Sequence, residues 1–230
     1  EPATRHLVEE LRGRSLPGLE IQVAGQTADE IDTIAAVYER LPLVLSVVMG
    51  ITFLVLCILL NSVVLPLKAI AMNLLSIGAS FGALVYIFQE GHFRTWLNFT
   101  PVGYLDILLP VVLFCVLFGL SMDYEVFLLT RIKEAYDECG DNSKSVIQGL
   151  KQTGGIITSA ALLMIIVTSA FAFTSIIFVK ALGLGSAIAV LIDATLIRAI
   201  LVPATMHLMG DWNWWAPKFL HLDRIGFKLD

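Results

Sequence analysis

Cysteine is scarce in this 230-residue chain: Cys57, Cys115 and Cys139 are the only three. Two lie in apolar runs and one in a polar stretch, a spacing that excludes a disulfide framework or a cysteine metal site and predicts free thiols. Charge is also in short supply. Asp, Glu, Lys and Arg make up 15% of the residues and the formal net charge is -5, so the chain offers no basic face to a nucleic acid. The chain starts at Glu1 and lacks the basic start, short apolar core and cleavage site of a signal peptide. It is expected to be a cut or processed piece of something longer.

What is present is apolar. Hydrophobic residues reach 57% and the mean hydropathy is +0.81, well above the usual share in a soluble domain. Five apolar segments run approximately over 43–61, 69–88, 105–130, 155–178 and 182–208. Each is close to the roughly 20 residues that cross a bilayer as a helix. The predicted class is an all-α transmembrane bundle of five spans (42–208), with an inner loop at 131–153 and a cytoplasmic tail at 209–230.

Residues 1–41 are polar enough to be soluble. A Leu7, Val8, Leu11 stripe predicts a helix, Pro17 and Gly18 a turn, and the alternation of Leu19, Ile21 and Val23 a strand. Thr27 and Glu30 have capping-box spacing before a second helix. A helix, a strand and a helix bury too little to fold alone, so this stretch is expected to be the α/β end of a larger extramembrane domain.

Basic residues orient the spans. One side holds Lys68, Arg131, Lys133, Lys144, Lys151, Lys218, Arg224 and Lys228, and the other Arg40, Arg94 and Lys180. Eight against three puts the N terminus outside and the C terminus inside. Trp212, Trp214 and Trp215 fit an inner interfacial anchor, with contact to membrane lipids. The lone interfacial His92 is expected to be a solvated side chain.

Two ionisable clusters break the apolar rule. The third span carries Asp123 and Glu125 near its inner end, where a central carboxylate costs about 2.5–3.5 kcal/mol. Helical spacing puts Val112, Val116, Gly119 and Asp123 on one face, with Gly119 a small residue where another helix can approach. Tyr124 lies about a quarter turn away. An intramembrane Asp beside a Tyr can hold a proton and pass it on through the phenol or a water, which makes Asp123 and Tyr124 candidates for proton coupling. Ser121, Glu125 and Thr168 are secondary candidates, although Glu125 lies nearer the inner interface and can simply reach water. In the fifth span Asp193 and Arg198 stand five apart, wider than the intrahelical contact at three or four, so either can reach a neighbouring helix. Arg198 is the only basic residue deep in a span and neutralises at most one of the two deep aspartates. Gly183 and Gly185 offer close helix packing. Hydroxyls in the fourth span, Thr158, Ser159 and Thr168 among them, are expected mostly to bond their own backbone carbonyls.

The stretch GLSMDYEVFLLTRIKEAY closely resembles the hallmark of the mycobacterial membrane protein large family, in the resistance-nodulation-division superfamily. VAGQTADEID and LIDATLIRAILVPATM are similar to further stretches of that family, and the likeness covers nearly the whole chain. It implies that residues 1–41 end a periplasmic porter domain and that the five spans are the eighth to twelfth of a multi-pass transporter in the bacterial inner membrane. Asp123 and Tyr124 then match the proton-relay pair of the tenth span, and Asp193 and Arg198 the charged pair of the twelfth. The implied activity is export of lipids or other hydrophobic molecules driven by the proton-motive force, with protons as coupling ion and no cofactor or metal. The implied partner is the N-terminal half of the transporter, and homo-oligomerisation is left open. A lipid- or sterol-sensing membrane protein that does not transport is the first alternative. An intramembrane aspartyl protease is the second, because two deep aspartates can share a proton as a catalytic dyad.

Overall fold

A computed structural model describes residues 2–13, 22–99 and 108–217. Its described residues are helical, with no strand among them. The strand expected around 19–23 falls mostly outside the described residues, and 22–24 carry no regular structure. The chain divides into two compact units, Glu1–Ile51 and Thr52–Asp230.

In the first unit α1 (Pro2–Gly13) precedes the start of α2 (Gln26–Leu60). Arg12 bridges both carboxylate oxygens of Asp32, at 2.5 and 2.8 Å. Both side chains are substantially exposed, so this contact contributes little to stability. The expected capping box is not how α2 begins. The helix already includes Thr27, and the Gly25 carbonyl accepts from the Asp29 N–H at 2.9 Å. Nor does the chain break at 41–42: Pro42 lies inside α2, which runs on to Leu60.

The second unit is a bundle built from the end of α2, α3 (Val64–Leu84, continued by a π turn at Val85–Gln89), the short α4 (Arg94–Leu97), α5 (Leu108–Cys139), α6 (Asn142–Ala170), α7 (Ile177–Ile192), a π-helical segment Asp193–Leu201, and α8 (Val202–Met209). Counting α2, five helical stretches among the described residues are long and apolar enough to cross a membrane. Apolar side chains point outward, as a bilayer demands: Leu54, Ile58, Leu163 and Ile166 are all more than half exposed. Pro66 and Pro110 each sit in the first turn of their helix, where a missing N–H breaks no bond.

The 32-residue α5 extends about 48 Å at 1.5 Å per residue, more than the roughly 30 Å of a hydrocarbon core. The expected inner loop is therefore largely helix, the continuation of α5 and α6 past the apolar run. Gly140, at φ 64, closes α5 by donating to the Tyr136 carbonyl. Asp141 then caps α6 by accepting from the N–H groups of Ser143 and Lys144. The turn between the fourth and fifth spans is at 174–176, earlier than the apolar runs suggested. Lys180 thus lies inside α7, buried, and donates to the Leu97 and Asn98 carbonyls.

Among the described residues close approach depends on glycine at three places. A Cβ on Gly149 would lie 2.4 Å from Ile132 on α5, one on Gly183 2.4 Å from Phe171, and one on Gly185 2.8 Å from Leu84. Gly183 and Gly185 thus lie against Phe171, Thr168, Leu84 and Leu113 with no room for a Cβ, and Gly149 joins them. Gly119 does not: no atom outside its own helical turn lies within 4 Å of the added carbon. The packing expected there is absent among the described residues, because Gly119 faces away from the bundle.

Where α5, α6 and α8 end together, Asn213 is fully buried and accepts from Lys68 while donating to the Met206 and Gly210 carbonyls. Trp214 stacks on Tyr136 with ring centroids 4.0 Å apart and donates to Asn142 Oδ1. Of the three tryptophans, Trp212 and Trp215 are exposed as an interfacial anchor requires, whereas Trp214 is part of the bundle.

Candidate functional site

The site begins with the two faces of α5. Leu109, Leu113, Leu117, Ser121, Glu125, Leu128 and Ile132 recur at three- and four-residue spacing and are all buried. Val112, Val116, Gly119 and Asp123 form the opposite, exposed face. The expected grouping of these four on one face is correct, but it is the stripe bearing Ser121 and Glu125 that looks into the bundle. Glu125 is 2% exposed, so the expectation that it reaches water is corrected: the heptad-like stripe carries it inward.

Opposite this stripe stands the last span. Its residues Asp193–Leu201 are wound as a π-helix, in which the Val202 N–H bonds the Ile197 carbonyl five residues back. Five-residue spacing is what such a turn brings together. Arg198 Nη2 therefore meets Asp193 Oδ2 at 2.5 Å within one segment, where α-helical spacing had suggested a reach to another helix. The neighbouring helix is engaged as well. Ser121 Oγ donates to Asp193 Oδ2 at 2.9 Å, and Arg198 Nη2 donates to the Ser121 carbonyl at 2.6 Å. The guanidinium lies 5.2 Å from the Tyr124 ring centroid, in cation–π range.

Two polar atoms of the pair, Asp193 Oδ1 and Arg198 Nε, are buried without a hydrogen-bond partner among the described residues. A half-open cleft beside them is lined by Asn73, Ser76, Ser121, Tyr124, Asp193 and Arg198 together with apolar side chains, and has room for about one water molecule. This arrangement can hold a charge pair out of bulk solvent while leaving it open to a proton or a water.

Asn73 and Ser76 were not singled out in the sequence. With Ser80 they form a polar row on α3 at helical spacing, all buried, and they reach carbonyls of Phe118, Ala189 and Gly185 respectively. Small polar residues three and four apart in an apolar run were the available signal. Thr168 is buried but bonds the Met164 carbonyl of its own helix, and Ser159 likewise bonds Ile156. Asp123 does not line the cleft that holds Asp193. The two aspartates are thus not brought together as a proteolytic dyad requires.

The sequence matches the MMPL family over residues 2–224, nearly its full length. This chain belongs to the MMPL family. Among curated relatives, a Streptomyces coelicolor protein named as a membrane protein is 42% identical over 99% of this chain. The Mycobacterium tuberculosis trehalose monomycolate exporter MmpL3 is 40% identical over 91% of the chain, and the heme uptake protein MmpL11 of the same organism 42% identical over 87%. The chain covers 32%, 22% and 21% of these relatives' own lengths. Family membership and five apolar helices of spanning length make this MMPL chain a multi-pass membrane protein.

Proposed function

We propose that the chain is the C-terminal part of an exporter that uses the proton-motive force to move lipids or other hydrophobic molecules across the bacterial inner membrane. The observation that carries this reading is the buried Asp193–Arg198 pair, tied to Ser121 and opening on a small polar cleft inside a membrane bundle. A buried pair with unsatisfied atoms is an expensive way to hold helices together. Its usefulness lies in changing charge. The relatives named as an exporter and an uptake protein support transport as the purpose of that change.

Asp123 has a complementary part. It stands midway along α5 on an exposed face, beside a glycine with open space around it. At bilayer depth a bare carboxylate costs about 2.5–3.5 kcal/mol. That face is therefore covered by the N-terminal half of the transporter, and Asp123 and Tyr124 face the relay groups of that half. Protons enter from the outside, titrate the aspartates and leave toward the cytoplasm, where the C terminus lies. Each contributes about 2.3 kcal/mol per 100 mV and about 1.4 kcal/mol per pH unit, enough to bias rocking of one half against the other.

The test is export by the full-length protein in proteoliposomes under an imposed proton gradient. Asp123→Asn is expected to insert and fold normally and to lose gradient-driven export. Undiminished export by a correctly folded Asp123→Asn protein would sink the reading.

A further inference from the structure

We propose that Asp193–Leu201 is a register switch, wound as a π-helix while Asp193 is ionised and paired with Arg198 and as an α-helix when Asp193 is neutral. This rests on the proton-coupling reading above and adds how a proton is converted into movement.

Nine residues of π-helix in one membrane span call for a cause. Such turns are rare, occur mostly as single bulges, and concentrate at functional sites. In this span the cause is visible in the spacing. In an α-helix each residue advances about 100°, so residues five apart lie about 140° from one another around the axis. Asp193 and Arg198 would then point to different sides. In the π register the same residues close one hydrogen-bonded turn, and the carboxylate and guanidinium meet at 2.5 Å. The ion pair and the π winding require each other.

The flanks fit two registers. On the N-terminal side the Asp193 N–H bonds to the Ala189 carbonyl with ordinary α spacing. On the C-terminal side Pro203 has no N–H to give to the Ala199 carbonyl, so an α-helical ladder is already interrupted there. In the π register the same missing N–H would leave the Arg198 carbonyl unbonded instead, so what separates the registers is the Pro203 ring, which in an α-helix presses on the Ala199 carbonyl four residues back and lowers the difference that one ion pair must overcome.

Among the described residues the charged and titratable groups facing Asp193 are few. Arg198 lies on its own segment. From α5 come Tyr124 and Glu125, with the Ser121 hydroxyl in direct contact; Lys68 on α3 lies within electrostatic range of Glu125; the α6 residue at the cleft is Ala161. Glu125 is a second carboxyl group within electrostatic reach of both Arg198 and Asp193. Rewinding from π to α then turns the helix on one side of the segment relative to the other by on the order of one residue step, about 100°. At the far end Asn142 and Asn213 both hold the Met206 carbonyl, so this rotation is not free to dissipate at the terminus.

The experiment is single-particle structure determination of the full-length transporter in lipid nanodiscs, with export measured on the same preparations. Three proteins are compared: wild type, Asp193→Asn, and the double variant Ile197→Arg with Arg198→Leu, which moves the base to α-helical spacing. The expected result is a Val202 N–H bonded to the carbonyl of position 197 in the wild type and to that of position 198 in both variants, with gradient-driven export lost in Asp193→Asn. A π register that persists in Asp193→Asn overturns the switch. If export is lost in that protein all the same, the coupling reading stands without it. Undiminished export in an α-wound Asp193→Asn protein overturns the coupling reading, and with it the switch as its working part. Should Asp193→Asn fail to fold, the double variant decides: a π register there, with acid and base four apart, overturns the proposal.

Discussion

Replacing Arg198 by methionine keeps much of the side chain's length and removes its charge, leaving Asp193 at 7% exposure with the Ser121 hydroxyl as its one remaining donor among the described residues. Stranding one member of a buried ion pair costs about 3–5 kcal/mol, and taking up a proton recovers part of that. Replacing Asp193 by asparagine is milder. Besides Asp193 the guanidinium has the Ser121 carbonyl at 2.6 Å and the Tyr124 ring at 5.2 Å in the paired state, so the cost of removing the carboxylate is expected nearer the about 1.5–3 kcal/mol of one hydrogen bond to a charged group. Making both changes removes both charges together, so the double variant is expected to fall short of the sum of the singles by about 1–3 kcal/mol. Reversible unfolding of the full-length protein in mixed micelles by titrated SDS measures all three. Losses that add within about 0.5 kcal/mol would mean that the two side chains act independently, and the coupled Asp193–Arg198 pair would be refuted.

Two further outcomes follow from the helix packing and the cap of α6. Gly183→Ala drives a methyl to 2.4 Å from Phe171 Cβ and 2.6 Å from the Thr168 carbonyl, and is expected to destabilise by about 1–3 kcal/mol or more, whereas Gly119→Ala meets nothing within the described residues and is expected not to destabilise this chain; equal thermal shifts for the two would refute the difference in packing. Asp141 is held below its ordinary value of 3.8 by the Lys144 backbone N–H and ammonium and by the Ser143 N–H, so its cap stabilises above that pH and is lost as the pH falls through the lowered value. Asp141→Ala should therefore lower the thermal midpoint at pH 7 and make no difference at the acid end, and a shift of the same size at both pH values would contradict the cap.

Much of this chain is readable without coordinates because a bilayer admits few solutions. Apolar runs of about 20 residues have to be helices, and five of them were found as five spanning helices, although Pro42 and the loop at 131–153 hid how far the helices continue past the apolar core. The site was less legible. Helical spacing correctly grouped Val112, Val116, Gly119 and Asp123, but periodicity alone does not say which face of an all-apolar helix meets protein and which meets lipid or a missing partner. Glu125 and Ser121 turned out to look inward for that reason. The Asp193–Arg198 contact was hidden by the assumption of α-helical geometry, since a spacing of five becomes a contact only when the turn widens.

The sequence by itself determined the class, the number of spans and the identity of the ionisable residues, because hydropathy and charge are local properties that the membrane tests residue by residue. Tertiary structure decided which of those residues meet. The side of α5 facing α3 and α7 and the glycines that let α7 close on α6 and α3 depend on helices contacting one another, and the π winding that joins Asp193 to Arg198 within one segment is held against Ser121 of a neighbouring helix.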